Sequence, residues 1–429
     1  MKRFALLTLL LLAAVAPLQA QYRPAPENLA RRARFEGFRF GIFLHWGIYS
    51  TFAQGEWYLN SGLLQEEYAK AADAFCPHRF DARAWVEAIR GSGAKYITFT
   101  TRHHDGFSMW DSRASDYNIV RATPFGRDVL KELSEACAEA DMPLHLYYSL
   151  VDWMRDDYPV GRTGLRTGRT LHPDYDSYFD FMKRQLHELL TQYGPVGALW
   201  LDGFWDHDED PVPFDWRMPE FYAYAHAIRP ELLIGNNHHL TPIEGEDFQM
   251  FERDLPGENT AGLSGQEISQ LPLEMCQTMN GMWGYKVSDT NYKSTEALIA
   301  LIVRAAGKGS NLLLNIGPQP NGELPATALE RLRGIGAWME RYGGSIYDTQ
   351  RGPVEAAWGV STRKGSTLYL HILDRLAQRV AIPLAEAPQA VTRFGGEPCT
   401  WHYDKASQTL TLVLPDHADQ VDLIVQVVE

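Results

Sequence analysis

Residues 198–202 read ALWLD, an apolar run that ends in a carboxylate. Three earlier runs have the same form, because each is rich in aliphatic and aromatic residues and stops at polar ones: residues 40–45 (FGIFLH), 96–105 (YITFTTRHHD) and 144–152 (LHLYYSLVD). A strand buried on both faces of a parallel sheet has this continuous apolar character, and its polar carboxyl end faces the loops where α/β barrels place their active sites. The pattern predicts an enzyme.

Predicted helices and further predicted strands follow along the chain. Segments with acidic starts and helical apolar spacing lie between the strands, at residues 81–91, 126–141, 174–193 and 219–228. Four more apolar runs bring the number of predicted strands to eight: residues 232–237, 248–252, 274–278 and 311–317. Alternating strands and helices with this strand count predict a (β/α)₈-like barrel.

The character of the sequence changes after a predicted helix over residues 325–342, which Gly343 and Gly344 end. Short alternating runs follow at residues 367–373, 378–382, 409–414 and 421–428, and they predict a small antiparallel β-sandwich. We therefore expect a signal peptide over residues 1–20, a catalytic barrel over 21–344 and a C-terminal β-sandwich over 345–429.

The first twenty residues have the pattern of a cleaved signal peptide. Lys2 and Arg3 precede an apolar stretch over residues 5–15, and Ala20 supplies the small residue that a signal peptidase needs. No later stretch approaches the roughly 20 apolar residues of a transmembrane helix. We expect a secreted or periplasmic protein without a membrane span; an uncleaved N-terminal anchor is the alternative.

The net charge limits the classes of partner that the protein is expected to bind, and the cysteine spacing limits the roles of its thiols. The formal net charge is −14, and loss of Lys2 and Arg3 makes it −16, so the surface repels nucleic acid and a neutral substrate is the simpler expectation. The four cysteines show no metal-binding spacing, and either disulfides or buried free thiols are compatible with them: Cys76, Cys137, Cys276 and Cys399. The oligomeric state stays open, a homo-oligomer included.

Asp202 is the strongest single candidate for chemistry. A carboxylate at the end of a wholly apolar strand must be paired or used, and Gly203 lets a ligand approach closely. Capping of a following helix or a salt bridge to a neighbouring residue is the alternative role. Two irregular stretches, residues 205–215 and 254–270, follow predicted strands and are either active-site loops or surface decoration.

Histidines and aromatic residues cluster near the predicted strand ends. His103 and His104 are adjacent, so on an extended strand their side chains point to opposite faces and joint metal ligation is awkward. No zinc-type spacing supports a metal or other cofactor, although a metal-dependent hydrolase is the rival interpretation. His45, with Glu56 and Trp57, adds the aromatic walls and polar groups that suit a sugar ring.

Retaining glycoside cleavage requires two carboxyl groups about 5–5.5 Å apart, one a nucleophile and one an acid/base. Asp202 is the natural nucleophile. The residues themselves leave the acid/base open among four later glutamates: Glu252, Glu258, Glu267 and Glu274.

Seven segments, in this order and at these separations, closely resemble the α-L-fucosidase family of glycoside hydrolases (family 29): FGIFLHWGIYS, GEWY, YITFTTRHHDGFSMWDS, LYYSLVDW, LWLDGFWD, MWGYK and SNLLLNIGPQPNG. The resemblance covers residues 38–322 and implies a metal-independent, retaining exo-glycosidase without a cofactor, acting on a fucosylated glycan. It implies that Asp202 is the nucleophile. It also implies a fucose pocket lined by matching positions: His45, Glu56, Trp57, His103, His104, Tyr147 or Tyr148, and Trp200.

The resemblance favours Glu252 as acid/base, since DFQMFE is similar to the segment that carries it in several members. Glu274 is the runner-up, although Leu273 stands where the family has Trp. Many members have Asn-Asp-Arg-Trp after the fifth strand, whereas this chain has NNHH at residues 236–239. His238 then stands where the family has Arg, and we expect it to replace that contact.

The implied function is hydrolysis of terminal α-L-fucosyl residues through a covalent fucosyl-Asp202 intermediate. Two alternatives are kept. One is the same mechanism on a related sugar such as an α-L-galactoside, because a pocket built around a methyl group cannot strongly exclude every larger relative. The other is a catalytically inactive glycan-binding protein.

Overall fold

A computed structural model describes residues 22–429, so the predicted signal peptide lies outside the described residues. Eight parallel strands form the first sheet, in the order β5-β4-β3-β2-β1-β8-β7-β6. Their bounds are β1 Phe40–Leu44, β2 Ile97–Arg102, β3 Leu144–Ser149, β4 Val196–Asp202, β5 Leu233–Asn237, β6 Gln249–Glu252, β7 Leu273–Thr278 and β8 Ser310–Ile316. The predicted (β/α)₈-like barrel is confirmed.

The helices that cover the sheet are α1 Pro26–Phe38, α2 Gln65–Ala69, α3 Ala82–Gly91, α4 Val129–Glu139, α5 Tyr175–Gln192, α6 Met218–Ile228, α7 Thr295–Gly307 and α8 Ala326–Tyr342. The acidic starts seen in the sequence are N-caps: Asp81, Asp128 and Asp174 each accept a hydrogen bond from the backbone N–H three residues on. The sequence analysis missed α1, the short α2 and α7. The side chain of Ser294 caps α7 in the same way.

A seam between β5 and β6 interrupts the hydrogen-bonded order of the barrel. Asp247 bridges it, because its backbone N–H donates to the Ile234 carbonyl (2.7 Å) and its carboxylate accepts from the Ile234 N–H (2.7 Å). The guanidinium of Arg32, on α1, pairs with the same carboxylate and balances its charge. The carboxyl ends of β4, β5 and β6 therefore meet although the last two do not form a ladder.

The C-terminal part is an antiparallel sandwich, as predicted. Its eight strands are β9 Gln350–Ala356, β10 Gly359–Lys364, β11 Thr367–Ile372, β12 Arg379–Pro383, β13 Ala390–Arg393, β14 Thr400–Asp404, β15 Thr409–Val413 and β16 Leu423–Val428. Five form one sheet, β13-β16-β11-β10-β9, and three form the other, β12-β15-β14. Only four of these strands were predicted: β9 and β14 are largely exposed, and β10 and β13 lack a clear apolar alternation.

The sandwich lies against α7, where Gly307 lets Val360 approach so closely that a Cβ would stand 2.6 Å from it. The barrel's last helix ends at Tyr342 and β9 begins at Gln350, so the predicted boundary at residue 344 falls in the connection between them. All four cysteines are free thiols. None of the helices within residues 22–429 has both the length and the apolar character required to cross a bilayer.

Candidate active site

A cavity of about 230 Å³ opens at the carboxyl ends of the barrel strands. Its wall combines aromatic rings, imidazoles and two carboxylates: Phe43, His45, Trp57, His103, His104, Tyr147, Arg162, Trp200, Asp202, Trp205, Asn237, His239, Glu252, Leu263, Cys276 and Trp283. Apolar walls with a few convergent polar groups are typical of a small-molecule site.

Asp202 ends β4 and is held by several hydrogen-bond donors. Its Oδ1 accepts from the N–H of Gly203 (2.8 Å) and from the indole N–H of Trp205 (3.0 Å). Its Oδ2 accepts from the hydroxyl of Tyr147 (2.9 Å), and Nε2 of His104 lies 3.5 Å from the same oxygen. These donors orient the carboxylate and stabilise its ionised form.

Glu252 ends β6 and shares a hydrogen-bond donor with Asp202. The Nδ2 of Asn237, the last residue of β5, lies 2.9 Å from Glu252 Oε2 and 3.4 Å from Asp202 Oδ1. These two oxygens are therefore at most 6.3 Å apart, the sum of the two distances. One amide thus sets the spacing of the two carboxylates.

The two carboxylates influence each other's proton affinity. Burial and the charge of Glu252 raise the pKa of Asp202 to about 6, against hydrogen bonds from Trp205 and Tyr147 that lower it. Burial also acts to raise the pKa of Glu252, but the hydrogen bond and charge of His239 and the hydrogen bond of Asn237 outweigh it and leave that pKa below its ordinary value. Near pH 6 the pair as a unit keeps a proton that isolated carboxylates have lost.

Three buried histidines line the floor as neutral imidazoles. Burial lowers the pKa of His45 and His104 to about 3 and that of His103 well below its ordinary value. The Nδ1 of His45 lies 2.6 Å from Asn315 Oδ1, and the amide N–H of Asn315 donates to the Trp283 carbonyl. That contact orients the Asn315 amide, so Nδ1–H of His45 donates and its Nε2 is an acceptor.

Aromatic rings form the walls. Trp57 and Trp205 stack with centroids 5.6 Å apart, and Tyr147 stacks on Trp200 (5.5 Å) and on His103 (5.3 Å). The rings hold the histidines and Asp202 between flat apolar surfaces. Such surfaces complement the C–H faces of a sugar ring, while the imidazoles reach its hydroxyl edge.

The pocket brings together most of the residues predicted for it: His45, Trp57, His103, His104, Tyr147, Trp200, Asp202 and Glu252. Both adjacent histidines reach it, because β2 ends at Arg102, after a register shift, and the two residues that follow are no longer part of an extended strand. Glu258 and Glu267 lie exposed on the loop after β6 and do not line the pocket.

Two predicted contacts are wrong. Tyr148 points to the opposite side of β3 from Tyr147, and its hydroxyl donates to Gln185 of α5 (2.9 Å). His238 is buried against Glu246, with Nε2 2.9 Å from Oε1, so it does not replace the family's arginine in the pocket.

Two predicted glutamates lie behind the pocket wall. Glu274 is buried, with its oxygens accepting from the Tyr96 hydroxyl (2.5 Å) and the Trp200 indole N–H (2.8 Å). Burial raises its pKa to about 7, and both hydrogen bonds oppose this. Glu56 accepts from the N–H of Gly284 (2.7 Å) and thereby holds the loop beside Trp283. Both support lining residues and do not line the pocket.

Sequence reasoning missed several lining residues. Asn237 and His239 belong to the NNHH segment, where only His238 was selected. Trp205 and Leu263 lie on the two irregular stretches, whose position after strands was the available signal. No group of three or more potential metal-ligating side chains was found among residues 22–429, and the imidazoles and carboxylates of the pocket do not form such a set.

Comparison with known proteins identifies the family of this site. The α-L-fucosidase family profile matches residues 9–344. The chain belongs to the α-L-fucosidase family. It is a glycoside hydrolase on a barrel of the kind that family members share.

The fucosidase of Branchiostoma floridae is 28% identical to the chain over 439 residues, with 92% of each protein covered. The plasma α-L-fucosidase of Rattus norvegicus is 30% identical over 369 residues, covering 76% of this chain and 73% of the relative. Among solved structures, α-L-fucosidase isoenzyme 1 from Paenibacillus thiaminolyticus has a TM-score of 0.83 and 32% identity, covering 94% of this chain and 99% of that one.

A family 29 α-L-fucosidase from Bacteroides thetaiotaomicron, solved as a trapped covalent intermediate with 2-fluoro-fucosyl fluoride, has a TM-score of 0.79 and 25% identity. The comparison covers 95% of this chain and 97% of that one. The fucosidase fold therefore extends over both the barrel and the sandwich.

Proposed function

We propose that the protein releases terminal α-L-fucose from glycans by a double displacement with net retention, with Asp202 as nucleophile and Glu252 as acid/base. The observation that carries the proposal is the single Asn237 amide that contacts both carboxylates. The two contacted oxygens are at most 6.3 Å apart, which is compatible with the roughly 5–5.5 Å of retaining enzymes and below the roughly 6.5–9.5 Å of inverting ones.

In the first step, Asp202 attacks the anomeric carbon while Glu252 donates a proton to the departing glycosidic oxygen. The C–O bond to the aglycone breaks, and an ester forms between fucose and the carboxylate. In the second step, Glu252 takes a proton from water, the resulting hydroxide attacks the anomeric carbon, and the ester bond to Asp202 breaks. L-fucose leaves with its original configuration.

The neutral imidazoles suit the recognition of an uncharged sugar. His45, His103 and His104 hydrogen-bond the ring hydroxyls without carrying charge into a buried pocket. The stacked aromatic rings contact the apolar face and the methyl group of fucose.

The proton must be on Glu252 when the aglycone leaves. The protein groups alone favour the opposite arrangement, with a raised pKa on Asp202 and a lowered pKa on Glu252. As the ester forms, Asp202 loses its negative charge, and this lowers the pKa of Glu252 further, so a source of the proton near Glu252 is required.

The test is release of 4-nitrophenol from its α-L-fucoside by the wild type, by Asp202→Gly and by Glu252→Gln. We expect Asp202→Gly to abolish turnover and added azide to restore part of it as the β-fucosyl azide, because azide makes the only displacement in that variant. An α-configured azide from Asp202→Gly would contradict the assignment of the nucleophile. For Glu252→Gln, azide should yield the α-azide after the ester has formed.

The sugar is tested by comparing kcat/KM for α-L-fucoside and α-L-galactoside substrates, which differ by one hydroxyl. A ratio in favour of the galactoside would move the assignment to that sugar. Binding of L-fucose without turnover of any glycoside would support an inactive glycan-binding protein.

We also propose export, on the strength of residues 1–20 alone. Fractionation of cells that make the full chain should recover the mature protein outside the cytoplasm with its N-terminus near Gln21. Recovery of the intact N-terminus in the cytoplasm would refute this.

A further inference from the structure

Glu252 has a second polar partner in the pocket. Nε2 of His239 lies 3.2 Å from Glu252 Oε2, the same oxygen that accepts from Asn237. Both His239 and Glu252 line the cavity, and the His239 side chain keeps 19% of its surface exposed. His239 therefore contacts the assigned acid/base and is also partly exposed to solvent.

The turn after β5 directs this side chain into the pocket. His238 uses both ring nitrogens, because Nδ1 accepts from the N–H of Leu240 (3.0 Å) and Nε2–H therefore donates to Glu246 (2.9 Å). His238 is therefore held away from the cavity. His239 follows with φ of 62°, a left-handed conformation that few non-glycine residues adopt, and its ring points the other way.

We propose that His239 stores the proton that Glu252 delivers to the leaving group. This inference rests on the proposed function. The proton on Nε2 of the imidazolium moves to Oε2 of Glu252, leaving a neutral imidazole, and Glu252 then passes it to the glycosidic oxygen. In the second step, Glu252 takes a proton from water and returns it to Nε2, which restores the starting state.

The charges around the pair bear on this role. The charge of His239 acts to lower the pKa of both Asp202 and Asp208, so the imidazole lies within electrostatic reach of these two carboxylates. Nε of Arg253 lies 4.0 Å from Glu252 Oε1, and its charge acts to lower the pKa of Glu252. The remaining titratable groups that face Glu252 come from other elements: His45, Glu56 and Cys276. His45 is neutral, so it adds no competing positive charge at the floor.

A hydrogen bond alone does not require a histidine at this position. A glutamine side chain donates a hydrogen bond to a carboxylate but does not exchange protons near neutral pH. His239→Gln therefore separates the two roles. His187→Gln is the matched control, since His187 is an exposed residue of α5 outside the pocket.

The experiment compares two substrates across pH. The 4-nitrophenyl fucoside has a good leaving group that needs little proton donation, whereas a fucosyl-galactose disaccharide has an alkoxide leaving group that needs it fully. We expect His239→Gln to lower kcat/KM for the disaccharide by about 10- to 100-fold and for the aryl fucoside by less than about 3-fold. The basic limb of the disaccharide profile should move to lower pH, because the proton is then held by the carboxyl group of Glu252 alone and no longer by the imidazole–carboxylate pair.

An equal loss for both substrates with an unchanged pH profile, or no loss at all, overturns the proposal, because His239 then only shapes the pocket. Thermal unfolding of each variant checks that it is folded, and His239→Asn replaces the glutamine variant if that one is not. Wild-type turnover of neither substrate refutes the proposed function and the inference together. Wild-type turnover that Asp202→Gly abolishes, with a superimposable His239→Gln profile, refutes the inference alone.

Discussion

The buried carboxyl group of Glu274 makes the stability of the barrel depend on pH in a way that one substitution should remove. Its side chain is 1% exposed and lies between Tyr96 and Trp200, and burial raises its pKa to about 7. In the unfolded chain the pKa of a glutamate is about 4.3. The folded state therefore binds this proton more tightly than the unfolded state.

Because the folded state binds the proton more tightly, the free energy of unfolding decreases as pH rises. Below pH 4 the group is protonated in both states, and its favourable contribution is fully present. As pH rises through the range from about 4.3 to 7 the unfolded state loses the proton first, so the free energy of unfolding falls by roughly 4 kcal/mol in all, at 1.36 kcal/mol for each unit of the shift. Glu274→Gln has the shape of the protonated form and should escape this loss.

We expect the variant to match the wild type in Tm near pH 4.5 and to exceed it by about 4 °C at pH 8, with an unfolding entropy of about 2 cal/mol/K per residue. Thermal unfolding of both proteins, followed by circular dichroism across this pH range, measures the difference. A Tm difference that does not vary with pH would refute the burial argument.

The same variant separates the two candidates for acid/base. Glu274 lies behind Trp200, so Glu274→Gln should keep kcat/KM for a fucosyl disaccharide within a few fold at pH 5 to 6. Glu252→Gln should lose about 10²- to 10⁴-fold under those conditions. The reverse order would move the acid/base assignment to Glu274.

Three further predictions concern the pocket and the sandwich. Tyr147→Phe removes the donor to Asp202 and should lower kcat/KM about 10- to 100-fold, whereas Tyr148→Phe should leave it unchanged; equal effects would refute the assigned facing of β3. His103→Ala should lower kcat/KM about 10-fold or more, and unchanged kcat and KM would exclude His103 from sugar binding. Asp422→Ala leaves the buried His371 without its partner and should lower the free energy of unfolding by about 3 kcal/mol at constant kcat/KM, which urea unfolding and a kinetic assay test together.

Much of the barrel could be predicted because its signals are local. All eight parallel strands overlap predicted apolar runs, and three aspartate N-caps start predicted helices. The helix α7 was missed although Ser294 caps it and apolar residues recur along one face. The exposed strands of the sandwich escaped prediction because their pairing partners, and not their own side chains, hold them in place.

Local sequence signals could not decide which of two neighbouring side chains faces the pocket. Tyr147 and Tyr148 differ only in which face of β3 they occupy, and that depends on the register of the strand in the closed sheet. His238 and His239 exchange roles because the backbone turns left-handed between them. The turn depends on contacts with Leu240 and Glu246 that the sequence does not reveal.

The sequence by itself determined the family, the order of strands and helices, and the carboxylate at the end of β4, because each of these is a property of a continuous segment. Only the tertiary structure decided that Asn237 contacts both Asp202 and Glu252, that His239 is the histidine beside the acid/base, and that Glu274 stands behind the wall. These residues come from different strands, and their distances depend on how β4, β5 and β6 meet at the seam that Asp247 bridges. Closure of the barrel, which no single segment encodes, sets that geometry.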